Sequence, residues 1–335
     1  MLDDVLAIPE HVRDALWRID SAGLASTEAD GLVVCGLGGS AVGGDLGKAV
    51  LGNRLTAPME VVRSGTLPSW TSGMTAALVS SHSGETPETV VAFEDAGKRG
   101  LHRWVLTTGG RLGELARAAG VGVVGVPGLL APRAAVGYTT TAAIEAAALA
   151  GIAPDIRGEL EDAAEALAGG TESMVAQAKT IAPALAGLPV VIHGSGLTAP
   201  VARRWANQIN ENAKGFAFAA ELPEAGHNAI EAWAAGRGDF AAVFLVDPGA
   251  SPAERATMDA FAEMVGETGM PSLEVDPGGG SRSESLLRAV MIGDLVSLQL
   301  AADVGVDPLG IEAILEFKRR TGASAPGNQE GEGSE

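Results

Sequence analysis

Nine short apolar runs, many with β-branched residues, alternate along the chain with segments of helical period. Five lie in the first half, at residues 31–37, 59–63, 76–80, 104–107 and 121–126, with helices predicted near 40–52, 86–98 and 111–119. Four lie in the second half, at 189–193, 216–220, 241–246 and 272–275, with helices predicted near 197–213, 252–266, 284–303 and 308–320. Runs that are apolar throughout belong to strands buried on both faces, and intervening helices supply the crossovers that parallel pairing needs. The pattern predicts an α/β protein with mainly parallel central sheets, each covered by helices on both faces. A further helix is predicted at 9–18. Residues 139–185 are alanine-rich and read as mostly helical with a break around 151–155, a plausible connection between two domains, 1–150 and 151–323. The tail at 324–335, rich in Gly, Glu and Ser, is expected to be disordered.

Bulk properties narrow the function classes. A length of 335 residues accommodates two domains, and a 46% hydrophobic content supplies their cores, with aliphatic residues dominating because aromatics reach only 4%. The net charge of −19, with no Lys/Arg block, argues against nucleic acid as a partner. An anionic substrate would have to be held by local cations and backbone amides against that field. Cys35 is the only cysteine, which excludes an internal disulfide and a thiolate zinc cluster, and its apolar surroundings predict a buried structural thiol. The N-terminus lacks the order of a signal peptide, and no uninterrupted apolar segment is expected to span a bilayer, with Glu145 breaking the closest candidate. The expected location is the cytoplasm, with no membrane association.

Chemistry-bearing residues cluster where strands end. Ser81-His82-Ser83-Gly84-Glu85-Thr86-Pro87-Glu88-Thr89 follows an apolar strand and opens a helix, with Thr86 at the N-cap and Pro87 at the first helical position. Ser81, Ser83 and Thr86 crowd three hydroxyls beside a helix N-terminus, where free N–H groups and the helix dipole suit a phosphate. The alternative is a capped turn rich in small polar residues. Gly36-Leu37-Gly38-Gly39-Ser40-Ala41 fits a dinucleotide fingerprint loosely. Arg63 rather than an acid follows the second strand, which keeps an NADP-dependent oxidoreductase as a rival. His193-Gly194-Ser195-Gly196 ends the first strand of the second half in the same manner, suggesting a duplicated α/β unit.

On a helix, Asn207, Asn210, Glu211 and Lys214 follow one face, while Val201, Trp205, Ile209 and Ala213 mark another. Asparagine is a poor helix former, so a stripe lining a polar cavity explains the first face better than solvent does. His227-Asn228 lies in a loop after a strand, Arg133 follows the last strand of the first half, and Lys318 sits in the final helix. Taken singly, each of these reads as an ordinary structural or surface residue. There is no convincing cluster of metal ligands.

Together the segments resemble the bifunctional phosphoglucose/phosphomannose isomerase family, built from two sugar isomerase (SIS) domains. The resemblance covers roughly residues 10–321 and rests on five ordered motifs: Gly38-Gly39-Ser40-Ala41-Val42-Gly43-Gly44-Asp45, Ser81-x-Ser83-Gly84-x-Thr86, Pro132-Arg133, Gln208-Ile209-Asn210-Glu211-Asn212-Ala213-Lys214, and His227-Asn228. It implies two αβα sandwich domains. It also implies that Ser81, Ser83 and Thr86, helped by Gly38, Gly39 and Ser40, hold a sugar phosphate. By the same resemblance Glu211 matches the catalytic base, Arg133 the stabiliser of the enediolate, and His227 and Lys318 the residues that open the sugar ring. Family members are generally homodimers in which the histidine comes from the neighbouring subunit. Two positions depart from the family pattern: Ala229 stands where a glutamate is common, and Glu85 stands where a neutral residue is usual. Glu85 is expected to face away from the phosphate.

Those residue types suit aldose–ketose isomerisation. One carboxylate moves a proton between C1 and C2 through a cis-enediol, a fixed cation steadies the oxyanion, and an imidazole serves ring opening. Neither metal nor cofactor is required. The expected function is interconversion of glucose 6-phosphate and fructose 6-phosphate, with mannose 6-phosphate as well. A non-catalytic phosphosugar sensor, which would not need Glu211, is the principal rival.

Overall fold

The computed structural model describes residues 1–321, so the tail at 324–335 lies outside the described residues. Two helices, α1 (Leu2–Leu6) and α2 (Ile8–Ala22), precede the first alternating series. That series runs β1 (Leu32–Cys35), α3 (Gly39–Leu51), β2 (Met59–Val62), β3 (Ala76–Ser81), α4 (Pro87–Lys98), β4 (His102–Thr107), α5 (Gly110–Ala118) and β5 (Gly122–Gly125). Helices α6 (Val136–Leu149) and α7 (Arg157–Leu185) connect it to the second series. There the order is β6 (Val190–Gly194), α8 (Ala199–Gln208), β7 (Ala217–Glu221), α9 (Ala229–Ala234), β8 (Ala241–Leu245), α10 (Pro252–Glu267), β9 (Ser272–Val275), α11 (Arg282–Val304) and α12 (Glu312–Thr321). Each of the nine expected strands forms, and the predicted break after α6 falls where the chain leaves that helix. The short helices α1 and α9 were not expected.

Both sheets are wholly parallel. Their strand orders are β2-β1-β3-β4-β5 and β7-β6-β8-β9. In each, the first strand is flanked by the second and third, so the connections leaving it diverge. Loops at the carboxyl ends of β1 and β3, and again of β6 and β8, therefore border a crevice where the chain reverses direction across the sheet. The strands lining these crevices are buried along their length, β1, β3 and β8 at every residue, which is why they read as uninterrupted apolar runs.

Close helix packing uses the many glycines. A Cβ on Gly43 of α3 would lie 2.3 Å from Thr139 Oγ1 of α6, so only glycine lets the two helices touch there. The same holds where α8 meets α11: a Cβ on Gly293 would fall 2.1 Å from the Trp205 indole nitrogen. That nitrogen donates to the Ala289 carbonyl at 2.8 Å. Helix α11 is long and apolar enough, by length and composition, to cross a membrane, with a mean hydropathy of 1.4 over its most apolar window. It is instead a core helix, 78% of that window being buried, and it packs along α7. Cys35 is buried in β1 as expected, and burial pushes its thiol up to about 12.

The core of the second sheet holds one polar group with no partner. His193 of β6 is fully buried, and neither ring nitrogen makes a hydrogen bond. It stacks on Phe244 with ring centres 4.8 Å apart and planes 10° off parallel, beside Phe261 and Trp233. Burial lowers its pKa from 6.5 to about 4. The folded state thus holds the imidazole neutral while the unfolded chain protonates it, and stability is lost as pH falls from 6.5 toward 4. The loss at pH 4 amounts to about 3 kcal/mol. His193→Phe is expected to remove this term, so urea denaturation should show the variant gaining on the wild type by about that amount between pH 7.5 and pH 4.

Candidate active site

The loop after β3 folds around its own hydroxyls. Gly84, at φ +73°, turns the chain so that its N–H donates to Ser81 Oγ at 3.1 Å. Ser81 Oγ in turn donates to Thr86 Oγ1 at 3.1 Å, and the Glu85 N–H donates to Ser83 Oγ at 3.2 Å. Thr86 is the N-cap residue of α4 and Pro87 its first residue, but the Thr86 side chain makes no capping bond. Its hydroxyl is engaged with Ser81 instead. Ser81 is buried, Thr86 half-buried and Ser83 exposed, so the three hydroxyls step outward from the strand end toward solvent. The Glu85 carboxylate accepts the Arg111 N–H at 2.8 Å at the start of α5, which occupies it on a neighbouring helix.

The loop after β1 abuts this one: a Cβ on Gly36 would lie 2.9 Å from the Ser80 carbonyl. Gly38, at φ +54°, is the N-cap of α3, and Ser40 is buried in that helix's first turn. Gly39 presses its backbone against the 3₁₀ turn Pro132–Ala135, where a Cβ would stand 2.8 Å from the Pro132 carbonyl. Arg133 is thereby seated next to the glycine-rich loop.

Helix α8 does not continue as an α-helix through residue 213. After Gln208 it widens into a π turn, Ile209–Ala213, and Lys214 closes it at φ +56°. This turn carries Glu211 and Asn212 to Arg133. The Arg133 Nη1 donates to Glu211 Oε1 at 2.6 Å and its Nε to Asn212 Oδ1 at 2.8 Å, while Nη2 donates to the Pro308 carbonyl. Asn212, itself buried, donates to Ser297 of α11 at 2.8 Å. The polar stripe is therefore only partly as expected. Asn207, Asn210 and Glu211 border one cavity, but Lys214 is turned off it, donating at 2.6 Å to the carbonyls of both Glu211 and Gly310. Asn210 also exchanges two hydrogen bonds with the backbone of Ala217.

That cavity, about 470 Å³, brings together Gly38, Gly39, Arg133 and Glu211 with Asn207 and Ile314. Its size suits a small metabolite. Ser81, Ser83 and Thr86 lie on the adjoining loop and are not among its lining residues. His227 is exposed at the end of the 3₁₀ turn Glu224–His227, beyond β7, and does not reach the cavity within one chain. Asn228 caps α9 by accepting the Ala229 N–H at 2.6 Å. Lys318 is exposed on α12, one helical turn beyond Ile314 and so on the same face.

Residues 174–321 match the bacterial phospho-glucose isomerase C-terminal SIS domain. The bifunctional phosphoglucose/phosphomannose isomerase of Caldicellulosiruptor bescii is 30% identical over 96% of this chain and 98% of its own length. The chain belongs to the bifunctional phosphoglucose/phosphomannose isomerase family. The family's Aquifex aeolicus member is 32% identical over 87% of this chain and 90% of its own. Tagatose-6-phosphate ketose/aldose isomerase from Escherichia coli shares the fold at a TM-score of 0.71 and 16% identity, over 91% of this chain and 93% of that one. The chain thus has SIS-type αβα sandwiches built on parallel sheets, and it is an isomerase.

In this isomerase a second buried cation backs the site. Arg204 and Asp294 form a buried pair, with Arg204 Nε and Nη2 at 3.0 and 2.6 Å from the two carboxylate oxygens. The same Nη2 donates to the Arg133 carbonyl at 2.9 Å. Burial drives the Asp294 carboxyl above its ordinary range, opposed by the adjacent guanidinium. A signal was available: Arg204, Gln208 and Asn212 fall at helical spacing among Val201, Trp205 and Ile209, and Asp294 interrupts the apolar α11. Asp294→Ala strands the Arg204 cation and should cost about 3–5 kcal/mol in urea denaturation. Replacing both partners with apolar residues of similar volume should recover most of that loss.

Proposed function

We propose that this isomerase interconverts glucose 6-phosphate and fructose 6-phosphate, and mannose 6-phosphate as well, in a site shared between its two SIS units, residues 1–150 and 151–323. The observation that carries the reading is the Arg133–Glu211 pair at 2.6 Å on the wall of a cavity bounded by the glycine-rich loop. The relatives named for phosphoglucose and phosphomannose isomerisation support the substrate class.

In this reading the sugar phosphate anchors its phosphate on the hydroxyls of Ser81, Ser83 and Thr86 and on the backbone at Gly38, Gly39 and Ser40, beside the start of α4. The carbon chain then extends over Glu211. Its carboxylate takes the proton from one of C1 and C2 and returns it to the other, and Arg133 stabilises the enediolate oxygen that forms between the two transfers. Substrate displaces part of the Arg133–Glu211 contact, which frees a carboxylate oxygen for the proton while Asn212 and the Pro308 carbonyl keep the guanidinium in place. His227 and Lys318 serve ring opening. The exposure of His227 away from the cavity supports a homodimer in which His227 of the partner subunit completes the site. The expected location is the cytoplasm.

Glu211→Gln separates enzyme from sensor. Turnover should fall by about 10²–10⁴-fold in a coupled assay run with glucose 6-phosphate and mannose 6-phosphate in parallel, while fructose 6-phosphate still binds. A wild-type protein that binds fructose 6-phosphate without isomerising it would establish the sensor reading instead.

A further inference from the structure

The matching strand orders allow the two crevices to be compared residue by residue. Cys35 pairs with Val79 across the first crevice and His193 with Phe244 across the second. Aligning these pairs sets Gly38 with Gly196, Gly39 with Leu197, Gly84 with Gly249, and Thr86-Pro87 with Ser251-Pro252. The backbone agrees. Gly38 and Gly196 have φ of 54° and 49°, and both α4 and α10 start at a proline preceded by a hydroxyl residue at the N-cap.

The inner hydroxyls do not repeat, since Ser81 and Ser83 correspond to Val246 and Pro248. At the position between them the second crevice carries Asp247, which is buried. Its Oδ2 accepts the Leu197 N–H at 2.9 Å and its Oδ1 the Gly249 N–H at 2.8 Å. These amides are the counterparts of those of Gly39 and Gly84, which flank the first crevice. Gly196 makes room for the carboxylate, because a Cβ there would lie 2.8 Å from Asp247 Oδ2. The first crevice has His82 at the matching position, a side chain whose pKa burial lowers and which brings no negative charge. Its nearest carboxylate in sequence, Glu85, is bonded to the start of α5.

We propose that Asp247 is a tethered anion filling the phosphate cradle of the second SIS unit, so that each chain binds one phosphosugar and its second crevice is a latent phosphate site. The inference rests on reading the first crevice as the phosphate site. A carboxylate fixed to the chain outcompetes a free oxyanion because its ordering entropy is already spent in folding. Removing it leaves two amide donors without an acceptor, a deficit that inorganic phosphate can fill.

Isothermal titration of the full-length protein with inorganic phosphate tests this. The wild type should bind one phosphate per chain and Asp247→Gly two. Ser83→Ala/Thr86→Ala should abolish the first site, and adding Asp247→Gly to that pair should restore one. An Asp247→Gly protein that binds no more phosphate than the wild type overturns the proposal, as does a wild type that binds two. Persistence of wild-type binding in Ser83→Ala/Thr86→Ala counts against the first crevice alone, and the difference between Asp247→Gly and wild type still decides the second. Should Asp247→Gly not fold, Asp247→Asn provides the readout. Its melting temperature should rise with phosphate more than the wild type's does, and chloride at equal ionic strength should not reproduce the gain. Equal shifts in the two proteins would sink the idea.

Discussion

Two buried guanidinium groups on the cavity wall hold this architecture to one arrangement. Arg133 and Arg204 are only 7% and 2% exposed, in a chain whose net charge is −19. A buried cation left without partners is among the most destabilising single defects a core can have. Here every acceptor comes from a different stretch of chain: a π turn after α8, the middle of α11, a carbonyl at Pro308, and the backbone of Arg133 itself. Both cations are satisfied only when the first sheet, α8 and α11 are docked together. The overall acidity keeps long-range attraction from drawing anions in, so the charges assigned to substrate in the proposed function are local and fixed.

The duplicated topology explains why the site is built at the carboxyl ends of the strands. Diverging connections leave a crevice in each sheet, and the helices that follow start beside it. One copy lines its crevice with hydroxyls and opens toward Arg133 and Glu211. The other closes its crevice on itself through Asp247. Under the proposed function the two units divide the labour, one presenting a cradle and the other the carboxylate of Glu211.

Much of the fold was legible because buried parallel strands have a distinctive written form. The run Leu32-Val33-Val34-Cys35 has no alternation to confuse it with a half-exposed strand, and Thr86-Pro87 marks a helix start plainly. The short helix α9 escaped notice because six residues carry too little periodicity, and the π turn because five residues cannot distinguish a wider turn from an ordinary one. At the site, Glu211 and Arg133 are 78 residues apart, and no local pattern could place them in contact. The polar stripe brought Glu211 toward a cavity, and the resemblance to relatives added Arg133 and the role of each. The isolated Asp294 in α11 could have been matched with Arg204, since a charge within an apolar helix requires a partner.

The π turn at Ile209–Ala213 has a genetic consequence. Such a turn accommodates one surplus residue relative to an α-helix, and each residue advances a helix by about 100°. Loss of a single codon anywhere in that segment would let the helix relax to ordinary pitch and swing the Glu211 carboxylate around the axis, away from Arg133. The length of this segment therefore cannot drift, and geometry locks it against insertions and deletions.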